Sequence, residues 1–169
     1  MDLMQWTIMH ATNIDNSLPK PALYAQLAGE LRSLIEGEPD TIANLANAAA
    51  LLYHSLPQLN WCGFYLLKGG ELVVGPFQGK PACVRIAMGK GVCGTAAAQR
   101  TSVIVPNVNE FPGHIACDTA SNSEIVVPII RGSELIGVLD LDSPDLARFD
   151  ARDQEGLEKL VEILVSALN

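Results

Sequence analysis

The chain has 169 residues, 49% of them hydrophobic and 18% charged, a balance that suits one domain with one core and excludes a disordered chain. The formal net charge of −8 argues against nucleic acid as a partner, because binding phosphates needs a basic surface. No apolar run is long enough to span a bilayer, so no membrane partner is expected. Residues 1–17 lack the positive n-region and apolar stretch of a signal peptide, which makes the cytoplasm the expected compartment.

Residues 1–18 read as an N-terminal extension and 19–169 as a single domain. A helix is expected over 19–37, where Leu23, Leu27, Leu31, Leu34 and Ile35 recur at helical spacing and Gly37 with Pro39 supplies the stop. Asp40 reads as the N-cap of a second helix that runs to about Leu56 and ends at Pro57. The texture changes at Asn60. Runs 61–68 and 71–77 read as strands joined by Gly69-Gly70, a hairpin signal. A further strand is expected over 83–88, a short helix over 92–99 and a strand over 102–105. Pro106 opens a long loop, 107–122. Runs 124–131 and 134–142 form a second hairpin across Gly132-Ser133, and a closing helix starts near Asp150 with Leu157, Leu160, Val161, Leu164 and Leu168 on one face. Consecutive hairpins imply an α+β fold with a mainly antiparallel central sheet packed by N- and C-terminal helices.

Strand alternation puts Trp61, Gly63 and Tyr65 on one face of the first strand and Cys62 and Phe64 on the other. Gly63 leaves a gap between two aromatics, which reads either as a small-ligand seat or as an ordinary core pair. Cys62, between bulky neighbours, reads as an inert buried thiol. In the last strand Asp140 and Asp142 project to the same face, with Glu124 nearby on the pairing strand. Such a trio is either the solvated end of a strand or a seat for a cationic group. Clustered acids raise one another's pKa, so one of them can keep a proton near neutrality and donate it.

The other cysteines fall in the middle of the chain. Cys93 is expected just inside a helix N-terminus, where partial positive charge favours a thiolate. Cys83 is expected to open a strand, and Cys117 to lie in the long loop, open to solvent or substrate. Each alone reads as a small hydrophobe, and three together in a reducing compartment read equally as buried packing or as thiol–disulfide chemistry. Their spacing carries no metal-site signature, and no metal is expected.

The segments PACVRIAMGKGVCGTAAA (81–98), FPGHIACDTASNSEIVVPI (111–129), LIGVLDLDSP (135–144) and NWCGFYLL (60–67) closely resemble the free methionine-(R)-sulfoxide reductases. The similarity runs from about the first helix to the C-terminus. It implies a GAF fold, free L-methionine (R)-S-oxide as substrate, no cofactor, and thioredoxin as reductant. It implies that Cys117 attacks the sulfoxide sulfur and becomes a sulfenic acid, that Cys83 forms the disulfide with it, and that Cys93 is an additional or alternative resolving partner. It further implies that Glu124, Asp140 and Asp142 are the pocket acids and that Trp61 and Tyr65 are the pocket aromatics. A homodimer is compatible with this reading. The rival reading is a non-enzymatic GAF sensory or redox-switch module. Such modules usually adjoin an output domain, and Asp118 stands where bilin-attachment sites commonly carry histidine.

Overall fold

The computed structural model describes residues 14–115 and 117–168. The expected N-terminal extension therefore lies outside the described residues, apart from 14–18. Helix α1 (Lys20–Ile35) begins after Pro19, and α2 (Thr41–Ser55) is capped by Asp40, whose side chain accepts from the Ala43 N–H at 2.8 Å. Strands β1 (Trp61–Lys68) and β2 (Glu71–Gly79) form the expected hairpin across Gly69-Gly70. The strand expected over 83–88 is shorter: β3 is Arg85–Ala87, and Cys83 lies outside it. Helix α3 (Gly91–Gln99), β4 (Val103–Val105), β5 (Ser123–Arg131), β6 (Glu134–Ser143) and α4 (Ala151–Ala167) complete the order. The long loop carries a single 3₁₀ turn, Val108–Glu110, whose Val108 is buried.

The six strands form one sheet in the order β3-β2-β1-β6-β5-β4, and every pairing is antiparallel. The alternation expected for β1 holds. Cys62, Phe64 and Leu66 face a core shared with α1, α2 and α4, while Trp61 and Tyr65 face a second, smaller core under α3. The helical layer carries most of the apolar burial, with Leu27, Leu45, Leu157 and Leu164 fully buried at about 1.5–3 kcal/mol each. Among the described residues the second face is covered by α3 and loops, which leaves room for a site.

A polar hub fixes the chain where β6 gives way to α4. Asp153, fully buried, pairs with Lys20 of α1 and with Arg148, and accepts from the Tyr24 hydroxyl. It also accepts from the Asp150 N–H, closing a capping box at the start of α4. Arg148 in turn donates to the Pro57 carbonyl, and its N–H donates to Ser123 Oγ at the start of β5. The ends of β5 and β6 that bear the acids are thereby held against the helical layer.

Candidate active site

A pocket opens on the α3 side of the sheet, floored by β1, β5 and β6 and roofed by α3 and the loop that carries Cys117. Its lining includes Trp61, Tyr65, Cys93, His114, Cys117, Glu124, Asp140 and Asp142. Seven of the eight site residues expected from the sequence thus converge there. The eighth, Cys83, is not among the lining residues but is joined to Cys117 by a disulfide, with the two Cα atoms 5.5 Å apart.

The acids meet because of strand register. Asp142 pairs with both Trp61 and Glu124, and Asp140 pairs with Gly63 and Val126, so the three carboxyls share a face. The solvated-strand reading fails for two of them: Glu124 and Asp140 are each 6% exposed, whereas Asp142 is half-buried. Burial pushes the Asp140 carboxyl up to about 7, although hydrogen bonds with Cys93 and Glu124 pull the other way. Burial, followed by the neighbouring Asp140 and Asp142 charges, holds Glu124 well above the usual carboxylate range. Burial and Asp140 do the same to Asp142, opposed by a hydrogen bond from Ser121. The trio therefore carries less than its full negative charge near neutrality. One oxygen, Asp140 Oδ1, is buried with no hydrogen-bond partner, a costly state unless a ligand completes it.

The aromatic wall is built differently from the expected gap. Trp61 stacks on Tyr65 at 5.8 Å between ring centroids and on Phe77 at 5.3 Å. A Cβ on Gly63 would lie 2.3 Å from the Phe77 Cβ, so the glycine admits Phe77 rather than a ligand. Trp61 Nε1 donates to the Lys80 carbonyl and the Tyr65 hydroxyl to the Cys83 carbonyl, so both rings hold the segment leading to the disulfide. On the other strand of that link, Asp118 pairs with Lys80 at 3.2 Å and accepts from Asn60 Nδ2, which also donates to Ser121 Oγ at 2.9 Å.

Cys93 departs from its expected state. It is 3% exposed, and burial together with the Asp140 and Glu124 charges pushes its thiol up, outweighing any favourable effect of the helix N-terminus. Its Sγ lies 3.9 Å from Glu124 Oε1. Cys62 is fully buried on the opposite face of the sheet, as expected. Sequence reasoning missed Phe77, brought in by the β1–β2 register, and His114, whose Nε2 lies 3.7 Å from Glu124 Oε2. Burial lowers the His114 pKa, so the imidazole is neutral near pH 7. Gly91, at φ 59°, lets the loop close over α3, since a Cβ there would press on the Ile115 side chain at 3.2 Å.

A curled antiparallel sheet with helices on one face and a loop-roofed pocket on the other is the architecture of a GAF domain, and residues 39–169 match the family model described as GAF domain. The free methionine-R-sulfoxide reductase of Escherichia coli is 51% identical over 149 residues, covering 88% of this chain and 90% of that protein. The enzyme of the same name from Saccharomyces cerevisiae is 45% identical over 160 residues, covering 90% and 89%. The structure of free methionine-R-sulfoxide reductase from Neisseria meningitidis in complex with its substrate superposes with a TM-score of 0.90 at 45% identity, covering 94% of this chain and 95% of that one. The chain belongs to the free methionine-(R)-sulfoxide reductases, enzymes built on the GAF domain.

Proposed function

We propose that this protein reduces free L-methionine (R)-S-oxide to L-methionine in the cytoplasm, with Cys117 as nucleophile, Cys83 as resolving cysteine and thioredoxin as reductant. The observation that carries the reading is a Cys83–Cys117 disulfide at the wall of a pocket lined by three buried or half-buried acids of raised pKa. The substrate ammonium is seated against Glu124, Asp140 and Asp142, where the unpartnered Asp140 Oδ1 gains a donor. Trp61 offers the S-methyl group an apolar wall.

In the first step the Cys117 thiolate attacks the sulfoxide sulfur, and a proton from the acid cluster goes to the sulfoxide oxygen. The oxygen passes as hydroxyl from the methionine sulfur to Cys117 Sγ while the transient S–S bond breaks, so methionine leaves as the thioether and Cys117 is left as a sulfenic acid. The Cys83 thiol then displaces that oxygen as water and the disulfide forms. Thioredoxin's dithiol reduces it by exchange, returning both thiols. Cys93, with its thiol pushed up, is a poor nucleophile in this state, which favours Cys83 as the resolving partner.

The test is thioredoxin-coupled NADPH oxidation with free (R)- and (S)-methionine sulfoxide and with N-acetyl methionine sulfoxide. Turnover of the free (R) compound alone is expected. Comparable rates with the acetylated compound would refute the ammonium seat. No turnover of any of the three would return the chain to the sensory reading.

A further inference from the structure

The ammonium seat contains a group that an ammonium does not need. Cys93 Sγ and one oxygen each of Glu124 and Asp140 lie within 4.8 Å of one another, and all three residues are buried. An ammonium is held by oxygens; a thiol among them adds a soft donor that suits a borderline metal ion better than Mg²⁺ or Ca²⁺. Two further observations point to an occupant. Asp140 Oδ1 is buried without a partner, and His114 Nε2 stands 3.7 Å from Glu124 Oε2. With the disulfide closed, the cavity measures about 30 Å³, far below the several hundred Å³ of an organic-ligand pocket but ample for one ion. Zinc–ligand bonds of about 2.0–2.3 Å place tetrahedral donors roughly 3.3–3.8 Å apart, so the three clustered donors must draw together by up to about 1 Å, and His114, outside that cluster, must turn in to complete the set.

We propose that the disulfide form of this protein binds one zinc-class divalent cation in the acid pocket, through Cys93, Glu124 and Asp140 with His114 as the fourth donor. Binding converts the Cys93 thiol to a thiolate and releases its proton to solvent, along with those the carboxyls carry. The ion occupies the place that the substrate ammonium takes in the reduced protein. The site does not depend on the reductase reading, because the disulfide form carries no free Cys117 or Cys83 to supply either turnover or a competing ligand.

The experiment uses the untagged full chain with the disulfide closed, titrated with cobalt(II) chloride and then zinc chloride. One equivalent of Co²⁺ should bind and give a thiolate-to-cobalt charge-transfer band in the near ultraviolet, which zinc displaces. Cys93→Ser should abolish the band and weaken zinc binding by at least roughly tenfold. Cys62→Ser, on the far face of the sheet, should leave both unchanged. Asp140→Asn, with folding checked by circular dichroism, should also weaken binding by at least roughly tenfold while the other cysteines stay intact. Absence of a thiolate band at one equivalent would overturn the proposal. So would a band that survives Cys93→Ser, or a zinc affinity that neither variant changes.

Discussion

At the scale of single residues, the pocket is a place where burial decides charge. Asp140 is the sharpest case, with its carboxyl pushed up to about 7. An acid whose folded pKa is raised holds its proton more tightly in the native state than in the unfolded chain. Its stabilising contribution is complete at acid pH and is lost as pH rises from the ordinary carboxylate range through about 7. Asp140→Asn should therefore gain stability relative to the parent as pH rises from about 5 to about 8, read as urea midpoints across that range. The same proton is useful to the sulfoxide oxygen, so the parent's single-turnover rate should fall above about pH 7 and Asp140→Asn should lose that limb. A parent whose urea midpoint rises with pH relative to the variant would contradict the burial argument. Cys62→Ser should leave turnover intact, measured in the thioredoxin-coupled assay, because Cys62 faces the helical core. The acids were legible in the sequence, since period-two spacing puts Asp140 and Asp142 on one face. The state of Cys93 was not, because its position in a helix suggests a thiolate while the carboxyls that overrule it come from β5 and β6. The same dispersal across α3, β5 and β6 hides the Cys93–Glu124–Asp140 cluster, which shows no spacing motif along the chain.

At the scale of elements, the pocket depends on strand ends that are pinned from behind. Asp153 holds Lys20, Arg148, Tyr24 and the α4 cap at once. Asp153→Ala leaves two cations without their buried partner and should cost about 3–5 kcal/mol, read from denaturant midpoints, with little change in KM for the protein that remains folded. A loss below about 1 kcal/mol would mean that the hub carries little load. The hairpins, α1, α2 and α4 could be read from turn glycines and apolar periodicity, because those signals are local. The brevity of β3 could not. The ladder with β2 covers Arg85–Ala87, extended by one bond from the Val74 N–H to the Val84 carbonyl at 3.0 Å, and beyond it Cys83 is tied to Cys117. Nor could the role of Gly63, since the Phe77 Cβ that fills its gap reaches it only through a register with an irregularity between Gly63 and Tyr65. Long-range register is set by packing rather than by neighbouring residues, which is why its consequences stay hidden in a single sequence.

At the scale of the whole molecule, the disulfide and the pocket volume are linked. With Cys83 and Cys117 joined, the cavity of about 30 Å³ is too small for an amino acid. Opening the bond removes the tie that holds Cys117 to Cys83. Calorimetry should therefore detect methionine sulfoxide binding to a reduced Cys117→Ser protein and none to the disulfide form of the parent; equal affinities would break the link. The most direct test of the central claim is a single-turnover count of methionine released from free L-methionine (R)-S-oxide by pre-reduced protein, without thioredoxin. The parent and Cys83→Ser should each release about one equivalent, with Cys83→Ser left as a sulfenic acid that a dimedone probe traps on Cys117. Cys117→Ser should release none. Release of methionine by Cys117→Ser, or trapping of the sulfenic acid on Cys93 or Cys83 in the parent, would contradict the account.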